Sequence, residues 1–321
     1  MLHRSLGPGG EFDRIRQIAA ALGSSAEGLG EDCAIIPDGP GHLVASIDAA
    51  VEGVHFRREW LAPEEIGWRA CAGALSDLAA AGATPVGVLA ALVVPPGAPG
   101  EETERLMRGI GDAAEAAGAP VRGGDLTRGP MRAACVSVFG RSERVPGRGG
   151  ARPGDALWVS GTLGGARAAL VRWERGEQPD TTARQAFARP EPRIAAGRWL
   201  AANGATAMLD LSDGLAGDVR HLAAASAVGV TVDLASLPLH PAVAGAARLA
   251  GEPPPVFAAR GGEDYELLAA LPRAFDEAAA AACRAATGVS LTRVGSFEAS
   301  QGVRLVLAGM EVTVRGFDHF A

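Results

Sequence analysis

The residues best suited to chemistry in this chain are carboxylates placed at the ends of apolar runs. The densest group is Met208-Leu209-Asp210-Leu211-Ser212-Asp213-Gly214-Leu215-Ala216-Gly217-Asp218, apolar at its start, then acid and hydroxyl through its turn. Acids this close repel one another and raise each other's pKa values, so they need exposure or cations. Magnesium prefers oxygen ligands and often reaches a protein through one or two carboxylates plus phosphate oxygens. An Asx or Ser cap on an ordinary strand–turn–helix accounts for this one stretch equally well. The theme recurs, however, at Glu31/Asp32, Asp48, Asp77 and Asp125. Such a set, with glycine loops, suits a magnesium–nucleotide site better than an acid–base hydrolase, because phosphoryl transfer asks mainly for positioning and charge neutralisation. A glycosidase needs only two carboxylates and usually a more aromatic cleft, whereas aromatic residues are 5% of this chain. A metal-dependent phosphatase stays open, since acids alone do not say whether water or a substrate oxygen attacks. The histidines are scattered; His55 and His319 sit in polar-aromatic contexts that a surface or hydrogen-bonded role explains as readily as catalysis.

Composition narrows the classes. The formal net charge of −7 argues against a nucleic-acid binder that relies on phosphate attraction. All 30 basic residues are arginine, which excludes a phosphate-binding lysine loop and a lysine Schiff base. Cys33, Cys71, Cys135 and Cys283 form no C-x-x-C pair, as expected of a reduced protein without a zinc site or disulfide framework. The first residues lack the apolar core of a signal peptide, and the run Val86 to Pro96 is too short to span a bilayer. The expectation is a soluble, cytoplasmic protein with no nucleic-acid or membrane partner.

Positioning these acids requires regular elements. Glu11 to Leu22 has helical apolar spacing, and Leu43 to Asp48 reads as a strand ending in an acid. Pro63 to Ala81 is the clearest helix, with Pro63 at its start, Glu64 and Glu65 in its first turn and Gly82 as its stop. Its packing stripe Ile66, Ala70, Gly73, Asp77, Ala81 puts Asp77 on the buried face, where a lone carboxylate is costly. Strands are expected at Val86 to Val94 and Arg132 to Val138 and a helix at Glu101 to Ala117; Gly123-Gly124-Asp125 would let a ligand approach the backbone closely, or serve as ordinary turn chemistry. The Gly/Arg/Pro-rich segment Val145 to Gly154 reads as a linker, dividing the chain into domains at 1–145 and 146–321. Beyond it come a strand at Ala156 to Ser160, helices at Ala166 to Arg175 and Arg193 to Ala202, and then the acid stretch with its helix to Ala225. A strand at Val230 to Leu234, a Pro-rich loop, the Gly261-Gly262-Glu263-Asp264-Tyr265-Glu266 segment before a strand, a helix at Ala274 to Ala286 and two short strands follow.

In this order the motifs resemble the thiamine-monophosphate kinase family. They are Gly10-Glu11-Phe12, Gly30-Glu31-Asp32-Cys33-Ala34, Val51-Glu52-Gly53-Val54-His55-Phe56, Leu75-Ser76-Asp77-Leu78-Ala79-Ala80 and Gly123-Gly124-Asp125. Asp210-Leu211-Ser212-Asp213-Gly214-Leu215, Gly261 to Leu267 and Gly316-Phe317-Asp318-His319-Phe320 complete them. The resemblance implies a two-domain α/β (α+β) fold of the aminoimidazole ribonucleotide synthetase type, an N-terminal sheet domain forming a homodimer, and a C-terminal α/β domain completing the site. It implies ATP-dependent phosphorylation of thiamine monophosphate to thiamine diphosphate with several Mg2+ ions. Carried over by position, Asp32, Ser46, Ile47, Asp48, Asp77, Asp125, Asp210 and Asp213 would hold magnesium, with Asp210 and Asp213 at the catalytic centre. Gly124, Asp125, Arg148 and Ser212 would face ATP, and His55, Glu263 and Phe317 the thiamine monophosphate.

Against that family pattern, Glu31 replaces an aspartate, Ile47 a threonine, Ala74 an asparagine and Leu126 a threonine, from which reduced metal affinity is expected. The same resemblance leaves room for another ATP-dependent enzyme of the superfamily acting on a phosphorylated small molecule. A nucleotide-binding protein that has lost catalysis is the third reading.

Overall fold

The structure, a computed structural model, describes residues 9–22 and 31–318; Gly30, His319 and Phe320 lie outside them. In the N-terminal part the order is α1 (Gly10–Leu22), β1 (Ala34–Asp38), β2 (Gly41–Val51), α2 (Pro63–Ala80), β3 (Thr84–Val94), α3 (Gly100–Ala116), β4 (Val121–Arg128) and β5 (Ala133–Ser142). These strands form one sheet in the order β1-β2-β5-β3-β4, parallel only between β3 and β4. Alternate residues of β3 and β5 are buried, as in a sheet with one covered face. That face lies under α2, and α3 packs outside α2.

The C-terminal part continues with β6 (Ala156–Ser160), α4 (Gly165–Glu174), α5 (Thr181–Ala188), α6 (Ile194–Ala202), β7 (Ala207–Asp210), α7 (Leu215–Ser226), β8 (Gly229–Asp233), α8 (Val243–Ala250), α9 (Pro254–Arg260), β9 (Leu267–Leu271), α10 (Glu277–Thr287), β10 (Leu291–Glu298), β11 (Gly302–Leu307) and β12 (Met310–Glu311). Its sheet runs β12-β11-β8-β10-β6-β9-β7. Every residue of β6, β7 and β9 is buried, as strands covered on both faces require.

Helix α2 serves both halves. It touches β2 and β5 on one side and β7 and α6 on another, so it is buried nearly all round rather than along one stripe. Its crossings depend on glycine. A Cβ on Gly67 would lie 1.9 Å from the Leu106 carbonyl, one on Gly109 1.9 Å from the Glu64 carbonyl, and one on Gly197 2.0 Å from the Ala79 carbonyl. Backbone atoms cannot yield as a flexible side chain does, so Gly109→Ala is expected to destabilise the protein by roughly 1–3 kcal/mol or more. The denaturant midpoint would report it, and an unchanged midpoint would contradict the crossing.

Several expectations change. Gly123-Gly124-Asp125 is not a turn but the middle of edge strand β4, paired in parallel with β3. A lone β-pairing partner supplied from 30 residues away leaves no local signal. Helix α5 begins on Asp180, whose side chain accepts from Thr182 N and Ala183 N, a cap the sequence reading passed over. The expected Pro-rich loop contains α8 and α9; Pro254 stands in the first turn of α9, where proline is tolerated. Three strands, not two, end the described chain.

Candidate functional site

A cleft of about 1210 Å³ lies between the two halves, and it gathers most of the residues singled out from the sequence. Asp32 enters just before β1. In β2 the period of two places Val44, Ser46 and Asp48 on the face covered by α2, where Ser46 Oγ donates to Asp77 Oδ2 at 2.5 Å. On α2, Arg69, Gly73 and Asp77 recur every four residues and share one face. Asp210 is the last residue of β7, and Ser212 and Asp213 occupy the turn into α7. Gly214 has φ 96°, and a Cβ there would stand 2.9 Å from the carbonyls of Arg260 and Gly261. The acid turn therefore packs directly on the glycine pair before Glu263, with Glu263 N donating to Ser212 O at 2.8 Å and Tyr265 N to Leu211 O at 2.9 Å.

The interdomain segment is fixed to the same strand. Met208 N donates to Gly147 O at 2.8 Å along the edge of β7, which sets Arg148 over the acids. Arg148 donates from Nε and Nη2 to Asp32 Oδ1 at 3.0 and 2.5 Å. Its backbone N donates to Glu31 Oε2 at 2.7 Å. Glu31, the longer acid in place of aspartate, thus holds the linker backbone. Burial works against the Arg148 charge, but Asp32 raises its pKa above the usual arginine value.

Carboxylate oxygens of Asp32, Asp77 and Asp210 all lie within 4.8 Å of one another. Asp210 is 6% exposed, and its pKa is pushed up to about 7, by burial first and the Asp32 charge second. Asp77 is held well above the ordinary carboxylate range by burial, then by Asp210, Asp48 and Asp32, against the Ser46 hydrogen bond. Three converging hard oxygen donors with suppressed acidity, drawn from both halves, fit a magnesium ion by the chemistry of the donor set.

The consequence for stability has a definite sign. A carboxyl whose pKa rises on folding is more easily kept as the acid, so the folded chain binds more protons than the unfolded chain between 3.8 and about 7. Stability from Asp210 is then present at low pH and lost as pH rises through that window. Metal-free protein is expected to melt at a lower temperature at pH 8 than at pH 5, by on the order of a few kcal/mol in stability. Millimolar Mg2+ should recover most of the loss at pH 8 and little at pH 5. A metal-free melting temperature that rises from pH 5 to pH 8 would speak against the cluster.

A second wall is aromatic and arginine-rich. Trp60 stacks on Trp173 with centroids 5.3 Å apart, and the Arg69 guanidinium lies 3.8 Å over Phe187. Arg69, 4% exposed, also pairs with Glu263 Oε2, which accepts from Tyr265 OH at 2.8 Å. Glu263 and Tyr265 have φ of 70° and 50°, a left-handed conformation uncommon for such residues and found where a site holds its backbone under strain. His55 Nδ1 accepts from Val51 N at 3.1 Å. Phe317, 56% exposed, is anchored by its backbone N donating to Asp213 O at 2.9 Å.

The cleft thus brings together Asp32, Ser46, Ile47, Asp48, His55, Asp77, Arg148, Asp210, Ser212, Asp213, Glu263 and Phe317. It does not include Gly124 or Asp125. Asp125 pairs with Ala91, and Ala91 with Cys135, whose other neighbour is Ala49; Asp48 pairs with Val136. Asp125 therefore lies on the sheet face opposite Asp48, away from the cleft of its own chain. Sequence reasoning missed Arg69, Tyr265 and Trp60. Arg69 carried a usable signal, since it stands two helical turns before Asp77 within a buried run.

Residues 30–141 match the family described as AIR synthase related protein, N-terminal domain, and residues 152–308 its C-terminal domain. A curated thiamine-monophosphate kinase of Aquifex aeolicus is 33% identical over 315 residues, covering 97% of this chain and 98% of its own. One from Salmonella typhimurium is 35% identical over 327 residues, covering 97% and 96%. A solved structure described as AaThiL complexed with AMPPCP and TMP superposes with a TM-score of 0.87 at 32% identity, covering 97% of each chain. A HypE–HypF complex, at 20% identity and a TM-score of 0.79, shares the fold alone.

Proposed function

From the premise that this chain belongs to the AIR synthase related family, and within it to the thiamine-monophosphate kinases, we infer that it phosphorylates thiamine monophosphate with ATP to give thiamine diphosphate. The observation that carries this reading to the residues is the convergence of Asp32, Asp77 and Asp210 from both halves at one wall of the cleft. The nucleophile is a phosphate oxygen of the substrate, largely ionised near neutral pH with a second pKa of about 6. No protein base is required, in keeping with a cleft whose one histidine among the described residues, His55, uses Nδ1 to accept a backbone hydrogen bond.

Asp32, Asp48, Asp77, Asp210 and Asp213, with Ser46 and the Ile47 carbonyl, are the proposed magnesium ligands. Magnesium bound there would supply charge neutralisation between two anionic phosphates and hold them in line. Arg148 and Ser212 are placed to face ATP. The Arg69–Glu263–Tyr265 network orients Glu263 toward the thiamine monophosphate, and Phe317 offers a ring face for its cationic ring system.

Homodimerisation belongs to the same proposal. Ile47 and Leu89 are exposed side by side across β5 on the open sheet face, apolar surface that a second copy would cover. Asp125 and Gly124, remote from their own cleft, would then face a second copy. The domain division at 145/146 is supported by the lack of regular structure between β5 and β6.

The test is incubation of purified protein with ATP, Mg2+ and thiamine monophosphate, with thiamine diphosphate and ADP quantified together. Equimolar products support the kinase. ADP without thiamine diphosphate would direct the reading to another phosphorylated acceptor, and binding of Mg-ATP without ADP to a protein that has lost catalysis.

A further inference from the structure

Behind the acid turn lies a second group of donors, of which the kinase reading uses only Asp213. Asp218 and His221 stand one helical turn apart on α7, on the face that meets Asp213. Carboxylate oxygens of Asp213 and Asp218 and a ring nitrogen of His221 lie within 4.8 Å of one another. Asp218 is 4% exposed and His221 8% exposed. Asp218 Oδ2 accepts the Asp213 backbone N–H at 3.2 Å, which fixes the turn against the helix.

His221 is the second and independent observation. Its Nδ1 is buried and makes no hydrogen bond, although a buried polar nitrogen left alone is costly. The ring is held by Phe12 of α1, stacked at 3.8 Å between centroids and 23° between planes. A metal-bound histidine is normally oriented by a hydrogen bond from its other nitrogen; here stacking fixes the ring plane instead. Covered by Phe12, the ring cannot turn out to water to satisfy itself.

We propose that Asp213, Asp218 and His221 form a second divalent-cation site, of mixed oxygen and nitrogen donors, selective for a first-row transition dication over magnesium. The selectivity follows from donor type. Magnesium takes oxygen ligands in near-ideal octahedra and dehydrates reluctantly, whereas imidazole suits later first-row ions. The Asp32–Asp77–Asp210 group has oxygen alone. The two groups are therefore built for different ions, although the new site shares Asp213 with the magnesium ligands proposed above. An ion there would tie the acid turn, through Asp213, to the body of α7, stiffening the segment that carries both Ser212 and the backbone anchor of Phe317.

The test uses tag-free full-length protein loaded with Co2+ and dialysed against excess Mg2+. Metal is counted by mass spectrometry, and the visible absorption of bound Co2+ is recorded. Wild type is expected to keep about one more Co2+ per chain than His221→Phe or Asp218→Asn, as a single three-ligand site requires. The ring of His221→Phe preserves the stack on Phe12, and circular dichroism and melting temperature verify folding. Asp77→Asn should keep that Co2+, which separates this site from the magnesium group and from any failure of the kinase reading. Wild type retaining no Mg2+-resistant Co2+, or His221→Phe retaining as much as wild type, would overturn the proposal.

Discussion

Asp210→Asn is expected to lower thiamine diphosphate formation by about 10³-fold or more, roughly 4 kcal/mol of transition-state stabilisation. The substitution keeps the shape of the side chain and removes its charge at the one acid contributed by a strand end of the C-terminal sheet. Asp210 is 6% exposed beside Asp32 and Asp77, so no solvent-borne group can take its place. The loss should fall on kcat rather than on the affinity for thiamine monophosphate, because Glu263 and Phe317 remain intact. Rapid-quench measurement of product at saturating substrate distinguishes the two. A rate within about tenfold of wild type would mean that Asp210 is not a ligand of the transferring centre.

Glu266→Ala should be the most destabilising single change outside the glycine crossings. Glu266 is 3% exposed and accepts from Arg193 Nε at 2.9 Å, Arg193 Nη2 at 2.6 Å and Ser160 Oγ at 2.5 Å. Ser160 Oγ in turn accepts from Leu267 N at 2.8 Å. Removing the carboxylate strips Arg193 of its buried partner and leaves it only the exposed Glu191, whose Oε2 accepts from Nη1 at 3.1 Å, so the cost approaches the roughly 3–5 kcal/mol of a broken buried pair. The space left beside Gly161 adds to this, since a Cβ on Gly161 would have met Glu266 Oε1 at 1.9 Å. A double-mutant cycle with Arg193→Met is the sharper readout. The pair should cost less together than the sum of the single changes, and full additivity would show that the network carries no coupling.

The sequence made the acids and their strand ends visible because period and capping are local. Asp48 reads as the end of a strand, although β2 runs on to Val51; Asp77 falls on the packing stripe of α2, and Asp210 closes an apolar run. Their convergence was not visible, since Asp32, Asp77 and Asp210 meet only through the packing of α2 against β7. The resemblance supplied that step. Where the resemblance had no motif, reading failed for physical reasons. β4 looks like a turn because its glycine pair resembles turn chemistry, whereas Gly124 is there for close approach to Ala90, a Cβ on it standing 1.9 Å from the Ala90 carbonyl. The helices α8 and α9 hide among prolines that mark helix starts as well as loops. What encloses Arg69 is not local: Phe187 and Glu263 lie more than a hundred positions away.

Because the Asp32–Asp77–Asp210 group is divided between the halves, the chain completes it late during synthesis. More than a hundred residues separate Asp77 from Asp210, about 7–30 s of translation at ordinary rates. During that interval the nascent N-terminal half has its acids in water with no Arg148 linker seated on β7 and no third carboxylate. Magnesium, bound there as proposed, would therefore not guide the first domain; it would register only that the second has docked, and truncated chains released early would lack the complete three-acid group.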